Sequence, residues 1–392
     1  LLIEEVIKLK KVLSDFNFDN KRVILRCDLN VPITNGIIED DTRIIESLKT
    51  IKYLIDKNAK VIILSHLGRV KTEEDKKDNS LYPVYLRLRD LLGDNVCFSK
   101  DTSGNKLKEL VNTLRTGEVL LVENTRFEDI DGKKESSCDL ELSKYWASLG
   151  DIFVNDAYGV CHRSHASNVG ISKFLPSCLG LLVEEEIEKI DGIIKENTSP
   201  YILLMGGKKI SDKTLVIESL IEKCDYILLG GGMCFTFLAS LGINVGMSIV
   251  DKDNIPFCKE ILSKYKDKII LPVDVKLKSE EIKDIDKLTN EDIAYDIGPK
   301  TIELFKKYLS TAHRVVANGP MGVFEEKEFA NGTRELYNYL SQNSIKTLIG
   351  GGDSISAINT LHINKNFYHI STGGGATLEY IAQGTLPAIE AI

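Results

Sequence analysis

From residue 21 onward the chain alternates short runs of β-branched and other apolar residues with longer amphipathic stretches, the pattern of β-α units that build a parallel sheet. Strands are predicted at 22–27, 60–65, 96–98, 119–123 and 152–155. Between the first two, Ile44, Ile45, Leu48, Ile51 and Ile55 recur at helical spacing, with Asp40 or Asp41 placed to cap. The pattern restarts after Pro200, with strands predicted at 201–205, 226–229, 269–273, 314–317, 347–349 and 368–370, most of them running straight into glycine. Between the halves, 182–195 reads as an exposed connecting helix, its apolar residues mixed with Glu184, Glu185, Glu186 and Glu188, and with Gly192 as a weak point. The charged stretch 71–78 reads as a mobile surface excursion.

No period of 20 to 50 residues repeats, which excludes a solenoid. The expected fold is α/β: two doubly wound parallel-sheet (Rossmann-like) domains joined by a connecting helix and hinge. The boundaries predicted are 1–182 for the first domain, 183–198 for the connecting helix and 199–383 for the second domain, with a tail at 384–392 returning to the first. A length of 392 residues suits two domains of this size.

Composition changes this picture in one respect. An apolar fraction of 43% and a charged fraction of 28% are ordinary for a soluble globular chain, and the longest apolar runs are strand-sized, so no membrane span is expected. The stretch 1–11 mixes Glu and Lys with its apolar residues and does not read as a signal peptide. Eight scattered Cys without a C-x-x-C pair predict reduced thiols in a cytoplasmic protein. A formal net charge of −8 argues against nucleic acid as a partner. The distribution says more than the total: nine of eleven Arg lie at or before Arg163, whereas twenty of 29 Gly lie after position 175.

In an open parallel sheet, ligands sit beyond the carboxyl ends of the strands. In the first half those ends are cationic: Arg26-Cys27-Asp28-Leu29-Asn30, Ser65-His66-Leu67-Gly68-Arg69, Glu123-Asn124-Thr125-Arg126 and, after the fifth strand, Cys161-His162-Arg163-Ser164-His165, with Arg43 opening the first helix. Arginine's planar fork suits phosphate and carboxylate, so a small polyanion is the expected ligand. Asp28 and Asn30 would bind hydroxyls or orient the arginines. His66, His162 and His165 fit either a substrate contact or a neutral hydrogen-bonding partner of an arginine.

In the second half the recurring element is an apolar run ending in glycine: Met205-Gly206-Gly207-Lys208-Lys209, Gly230-Gly231-Gly232, Gly350-Gly351-Gly352-Asp353-Ser354 and Gly373-Gly374-Gly375. Glycine admits close approach of a backbone to a ligand, and a following helix presents free N–H groups to phosphate. A nucleotide is the expected ligand, although neither a G-x-x-x-x-G-K-[ST] loop nor a G-x-G-x-x-G fingerprint is present. Lys209 and Lys213, four residues apart, could hold phosphates, and Asp353 is the candidate Mg²⁺ ligand or a helix cap.

Together these motifs resemble those of the phosphoglycerate kinase family, from Lys21 to Pro387: R-C-D-L-N-V-P at 26–32, T-R-I at 42–44, H-L-G-R at 66–69, E-N-T-R-F at 123–127, H-R-S-H at 162–165, G-G-K-K-I-S-D-K at 206–213, G-G-G-M-C-F-T-F at 230–237, N-G-P-M-G-V-F-E at 318–325, G-G-G-D-S at 350–354 and S-T-G-G-G-A-T at 371–377. The resemblance implies reversible transfer of the acyl phosphate of 1,3-bisphosphoglycerate to ADP, giving 3-phosphoglycerate and ATP, in glycolysis and gluconeogenesis. The implied enzyme is a monomeric phosphotransferase with a carboxyl group as acceptor, and its cofactor is Mg²⁺ as Mg-ATP or Mg-ADP. It implies 3-phosphoglycerate contacts for Asp28, Asn30, Arg43, His66, Leu67, Gly68, Arg69, Arg126, His162 and Arg163. Gly207, Lys209, Lys213, Gly232, Gly298, Asn318, Pro320, Glu325, Gly351, Gly352, Asp353 and Ser354 would surround the nucleotide. Arg43, Lys209 and the backbone at Gly351, Gly352 and Gly374 would neutralise the transferring group. Val70, Lys208, Ala317 and the segment D-A-Y-G-V-C before His162 depart from the family pattern, and Lys208 adds charge beside the phosphates. A nicotinamide-dependent dehydrogenase and an exported anion-binding protein are the rival readings; the first lacks its fingerprint and the second a visible signal peptide.

Overall fold

A computed structural model describes residues 10–211 and 213–392. Most of the 1–11 stretch and Asp212 of the 206–213 motif lie outside the described residues. The chain divides into two compact units, Leu1–Glu188 with Thr385–Ile392, and Lys189–Gly384.

The first unit is built on β1 (Arg22–Cys27), β4 (Lys60–Leu64), β5 (Val96–Ser99), β6 (Val119–Val122), β7 (Ile152–Asp156) and β8 (Ser177–Leu179), in spatial order β5-β6-β4-β1-β7-β8 with every pair parallel. A hairpin of β2 (Ile33–Thr34) and β3 (Ile37–Ile38) follows β1. Helices cover both faces of the sheet, so its strands are continuous buried runs and do not alternate with polar residues. Val23 and Leu25 of β1, with Val61 and Ile63 of β4, pack on one face against Ile44, Leu48 and Ile51 of the Thr42–Asp56 helix. Ile24, Ile62 and Leu64 pack on the other against Trp146 of the Leu140–Ala147 helix. Asp40 supplies the turn into the first helix, accepting from Thr42 N at 2.9 Å, while Asp41 pairs with Arg87 Nε at 2.9 Å.

The second unit contains β9 (Tyr201–Met205), β10 (Tyr226–Leu229), β11 (Ile269–Ile270), β15 (Arg314–Asn318), β16 (Lys346–Gly350) and β17 (His369–Ile370), in order β11-β10-β9-β15-β16-β17, again all parallel. Counted within the sheet this is 3-2-1-4-5-6, the doubly wound order whose switch point lies between the first and fourth strands, here β9 and β15. A separate antiparallel sheet joins β12 (Asp274–Leu277), β13 (Ile282–Asp284) and β14 (Ala294–Ile297).

Two expectations are corrected. The 269–273 run stops after Ile270 as a strand, and Val273 is exposed. The 71–78 segment lies at the surface as expected and holds a helical turn, Asp75–Asp78, anchored by the Asp75 carboxylate accepting from Lys71 N and Thr72 N. The connecting helix, Leu181–Ile194, is not an exposed strut, because Val183, Glu186, Ile187, Ile190, Asp191 and Ile193 are all buried. A Cβ at Gly192 would stand 2.7 Å from the hydroxyl at the far end of the Tyr368 side chain. No helix among the described residues is long and apolar enough to cross a membrane.

Candidate functional site

In the first unit, β1, β4 and β6 end side by side and deliver their polar termini to one place. Asp28, just beyond β1, is buried and accepts from Arg43 NH1 at 3.2 Å; the same nitrogen donates to the Asn30 carbonyl at 3.0 Å. Asn30 Oδ1 accepts from Gly68 N at 2.8 Å. Gly68 has φ +58°, and a Cβ there would fall 1.9 Å from Asn79 Oδ1, so the His66-Leu67-Gly68 turn depends on glycine. Asn124, beyond β6, ties the neighbouring turns together, accepting from Leu67 N and Arg126 N and donating to the Leu67 and Asn79 carbonyls.

The charges in this cluster are arranged around buried arginine. Arg26 is fully buried and donates to Ser167 Oγ at 2.7 Å and to the Cys27 carbonyl, with His66 Nδ1 3.4 Å from its NH2. Arg126 donates to Asp129 Oδ2 at 2.9 Å, its NH2 faces His165 Nε2 at 3.5 Å, and its buried Nε has no hydrogen-bond partner among the described residues. Burial and the surrounding arginines lower the His66 pKa to about 3 against the pull of Asp28, and lower that of His165 to about 2. Both rings are therefore neutral at physiological pH. Burial alone would raise the Asp28 pKa, but Arg43 and Arg26, with the hydrogen bond from Asn30 N, outweigh it and hold the carboxylate ionised. The cluster thus carries fixed positive charge from side chains that do not titrate near pH 7. Arg163 is exposed and donates from Nε to His162 Nε2 at 3.1 Å; Arg69 is exposed on the loop after Gly68 and forms no ion pair with a described residue. Neither Arg163 nor Arg69 is drawn into the buried network.

In the second unit, a cavity of about 680 Å³ opens at the switch point. That volume is in the range of small-molecule and cofactor sites. Its lining includes Gly207, Lys208, Gly232, Pro320, Glu325 and Asp353. The turns that border it are glycine because backbones cross at contact distance. A Cβ at Gly206 would lie 2.2 Å from the Pro320 carbonyl oxygen, and one at Gly231, where φ is +59°, 2.6 Å from Gly207 N. Lys213 is buried with its ammonium beside Gly207, whereas Lys208 and Lys209 are exposed.

Two helix N-termini face one another near the cavity. Gly351, with φ +91°, precedes the helix Gly352–Thr360, and Gly374, with φ +52°, precedes the helix Gly375–Gln383; the Cβ position of Gly374 is 3.9 Å from Gly352 N. The Cβ positions of Gly352 and Gly375 meet open space. First-turn N–H groups have no partner within their own helix, and the helix dipole adds positive potential there. Asn318, at the end of β15, adds a buried side-chain donor. Its Nδ2 has no hydrogen-bond partner among the described residues and lies 2.7 Å from the Cβ position of Gly351. A buried donor left unpaired costs about 1–3 kcal/mol.

Two expected contacts are used elsewhere. Ser354 Oγ accepts from Gly319 N at 2.7 Å and Tyr337 OH lies 3.2 Å from it, so it locks the turn after β15. Gly298 packs on the Asp274 carboxylate and caps the helix Pro299–Leu309; it does not line the cavity. Sequence reasoning left unassigned the apolar wall made by Phe235, Met247, Ile249, Tyr295, Val323 and Phe324. It also passed over Asp296 in the floor, whose carboxylate accepts from Gly332 N and Ile297 N and whose pKa burial raises to about 7. No group of three or more His, Cys, Asp or Glu gathers as a metal cage among the described residues.

Residues 13–384 match the phosphoglycerate kinase family model. Phosphoglycerate kinases of Macrococcus caseolyticus and Fusobacterium nucleatum are each 49% identical to the chain, covering 98% of it and 99% of their own length. Among solved structures, the phosphoglycerate kinases of Coxiella burnetii and Pyrococcus horikoshii superpose with TM-scores of 0.85 at 34% and 35% identity, covering 97% of this chain and 98% of theirs.

Proposed function

This chain belongs to the phosphoglycerate kinase family and is a phosphotransferase with a carboxyl acceptor in glycolysis; from that premise we propose how its own residues divide the reaction. The arginine cluster of the first unit takes 3-phosphoglycerate or 1,3-bisphosphoglycerate, and the glycine turns of the second take ATP or ADP. The single observation that carries the nucleotide half is the cavity of about 680 Å³ at the switch point, bordered by the glycine turns after β9, β10 and β15.

In the ATP-consuming direction the nucleophile is a carboxylate, ionised at neutral pH, so no general base is needed. The neutral His66 and His165 fit that requirement, since they accept or donate hydrogen bonds without taking the proton. Arg43 orients the acceptor end while Asp28 and the Asn30 carbonyl fix its guanidinium. Lys209 and Lys213, with the N–H groups at Gly351, Gly352 and Gly374, oppose charge on the phosphates. The exposed Asp353 carboxylate beside these turns fits a nucleotide-bound Mg²⁺, which needs only one or two carboxylates and would neutralise phosphate charge when present. Phosphoryl transfer needs both substrates aligned and water excluded, so the reading includes closure about the 183–198 segment when both are bound. It also takes the enzyme as a cytoplasmic monomer, a setting that its eight unpaired thiols suit.

The test is a coupled assay with 3-phosphoglycerate and MgATP, repeated with each component omitted. Acyl-phosphate formation that needs all three is expected; none at all overturns the assignment.

A further inference from the structure

Glu135 belongs to none of the motifs described above, yet no part of it reaches solvent. It lies between the 3-10 turn Thr125–Asp129 and the helix Leu140–Ala147. Its carbonyl accepts from Ala166 N at 2.9 Å, and its carboxylate accepts from Ser167 N at 3.0 Å and Ser167 Oγ at 2.5 Å. Ser167 Oγ in turn accepts from Arg26 Nε at 2.7 Å, and Arg26 NH2 lies 4.0 Å from Glu135 Oε1. The same carboxylate oxygen is 3.8 Å from His165 Nδ1, close enough to act through its charge but beyond hydrogen-bond reach, and that nitrogen has no hydrogen-bond partner among the described residues; the opposite ring nitrogen, Nε2, faces Arg126 NH2 at 3.5 Å.

The chemistry of these partners orders the chain. A guanidinium only donates, so toward Arg126 the His165 Nε2 can only accept. A neutral ring that accepts at Nε2 carries its proton on Nδ1, which is the nitrogen facing Glu135. The result is a carboxylate–imidazole–guanidinium relay whose first step is the field of Glu135 on the ring and whose second is the contact of the ring with Arg126. With Asp129 holding NH1 and His165 facing NH2, Arg126 is fixed in place, its buried Nε–H without a partner among the described residues. Burial raises the Glu135 pKa, and Arg26 and the two Ser167 donors offset that in part.

We infer that Glu135 is a positioning residue for the acceptor site: its carboxylate sets the tautomer of His165, thereby orients Arg126, and balances the buried charge of Arg26. The inference rests on the proposed assignment of the arginine cluster to 3-phosphoglycerate. Glu135→Gln is the informative variant, because it keeps the shape but replaces one acceptor oxygen by a donor. It can no longer accept from both Ser167 donors, and it removes the negative charge that faces His165 Nδ1 and Arg26.

The Michaelis constants of both substrates should be measured for the wild type, Glu135→Gln, Arg126→Ala and the double variant. Glu135→Gln is expected to raise KM for 3-phosphoglycerate about tenfold by misplacing Arg126, with KM for ATP unchanged. In the Arg126→Ala background it should add little. If Arg126→Ala itself leaves KM for 3-phosphoglycerate unchanged, the acceptor-site assignment fails. If Arg126→Ala raises it but Glu135→Gln does not, or raises it equally in both backgrounds, the positioning role of Glu135 is overturned. Imidazole ¹⁵N correlation spectra of the wild-type enzyme are expected to show His165 as the Nδ1–H tautomer, and the Nε2–H form would overturn the relay without any variant having to fold.

Discussion

On the assignment proposed above, the two units solve the same problem, holding a polyanion, with different materials. In the first unit the positive charge is carried by arginine side chains, each matched by a carboxylate: the fully buried Arg26 by Glu135, and the partly exposed Arg43 and Arg126 by Asp28 and Asp129. In the second the donors would be chiefly backbone N–H groups at Gly351 and Gly374, whose partial charges need no counter-ion. A site made of side chains therefore needs a supporting layer of acids and neutral imidazoles. A site made of backbone needs close approach, and glycine at positive φ supplies it.

That contrast predicts different failures. Arg43→Ala and Lys209→Ala should each lower kcat by on the order of 100-fold or more, as expected when a donor to the developing charge is removed. Single-turnover rates check this, and near-normal turnover in either variant removes that residue from the transferring group. Next in size, Gly351→Ala places a Cβ 2.7 Å from Asn318 Nδ2 on a backbone at φ +91°. KM for ATP should rise roughly tenfold or more while KM for 3-phosphoglycerate stays within about twofold; an equal rise in both would dissolve the distinction between the units. Lys208→Ala should have a smaller effect, about two- to threefold in KM for ADP, because an exposed lysine is screened. The difference should vanish at high salt.

The smallest effect concerns stability, and each unit offers one probe. Burial raises the carboxyl pKa of Asp156 in the first unit and of Asp296 in the second to about 7, against about 3.9 in an unfolded chain. For a carboxyl raised on folding, the folded state holds the proton more tightly. Its contribution to stability is full below about pH 4 and is lost as pH rises through about 7. Asp156→Asn and Asp296→Asn should each flatten the fall in thermal midpoint between pH 4 and 8, and an unchanged slope in both would show that neither group binds its proton in that range.

Apart from β8, whose three residues Ser177–Leu179 are too few to stand out, the parallel strands were legible because both faces are covered, which makes them unbroken apolar runs. Strands β12 to β14 were not, since four residues such as Asp-Val-Lys-Leu have neither the length nor the alternation to stand out. The arginine and glycine turns of the site were visible for a similar reason: their chemistry sits at strand ends. Glu135 was hidden within Asp131-Gly132-Lys133-Lys134-Glu135, a run that reads as solvated surface and whose glutamate is drawn inside by Ser167 and Arg26. The cavity wall was hidden because Phe235, Met247, Tyr295 and Phe324 come from separate segments that only the folded chain assembles.

The last eight residues, Thr385–Ile392, belong to the unit that begins the chain. Ala388 N donates to the Cys161 carbonyl and the Ala388 carbonyl accepts from Asn155 Nδ2, at the same polar strand ends that lead to the arginine cluster. During synthesis the ribosome therefore completes this unit only after it has made all of Lys189–Gly384. The part translated first is finished last, so on the ribosome the first unit waits, one clasp short, until residues 385–392 have been made.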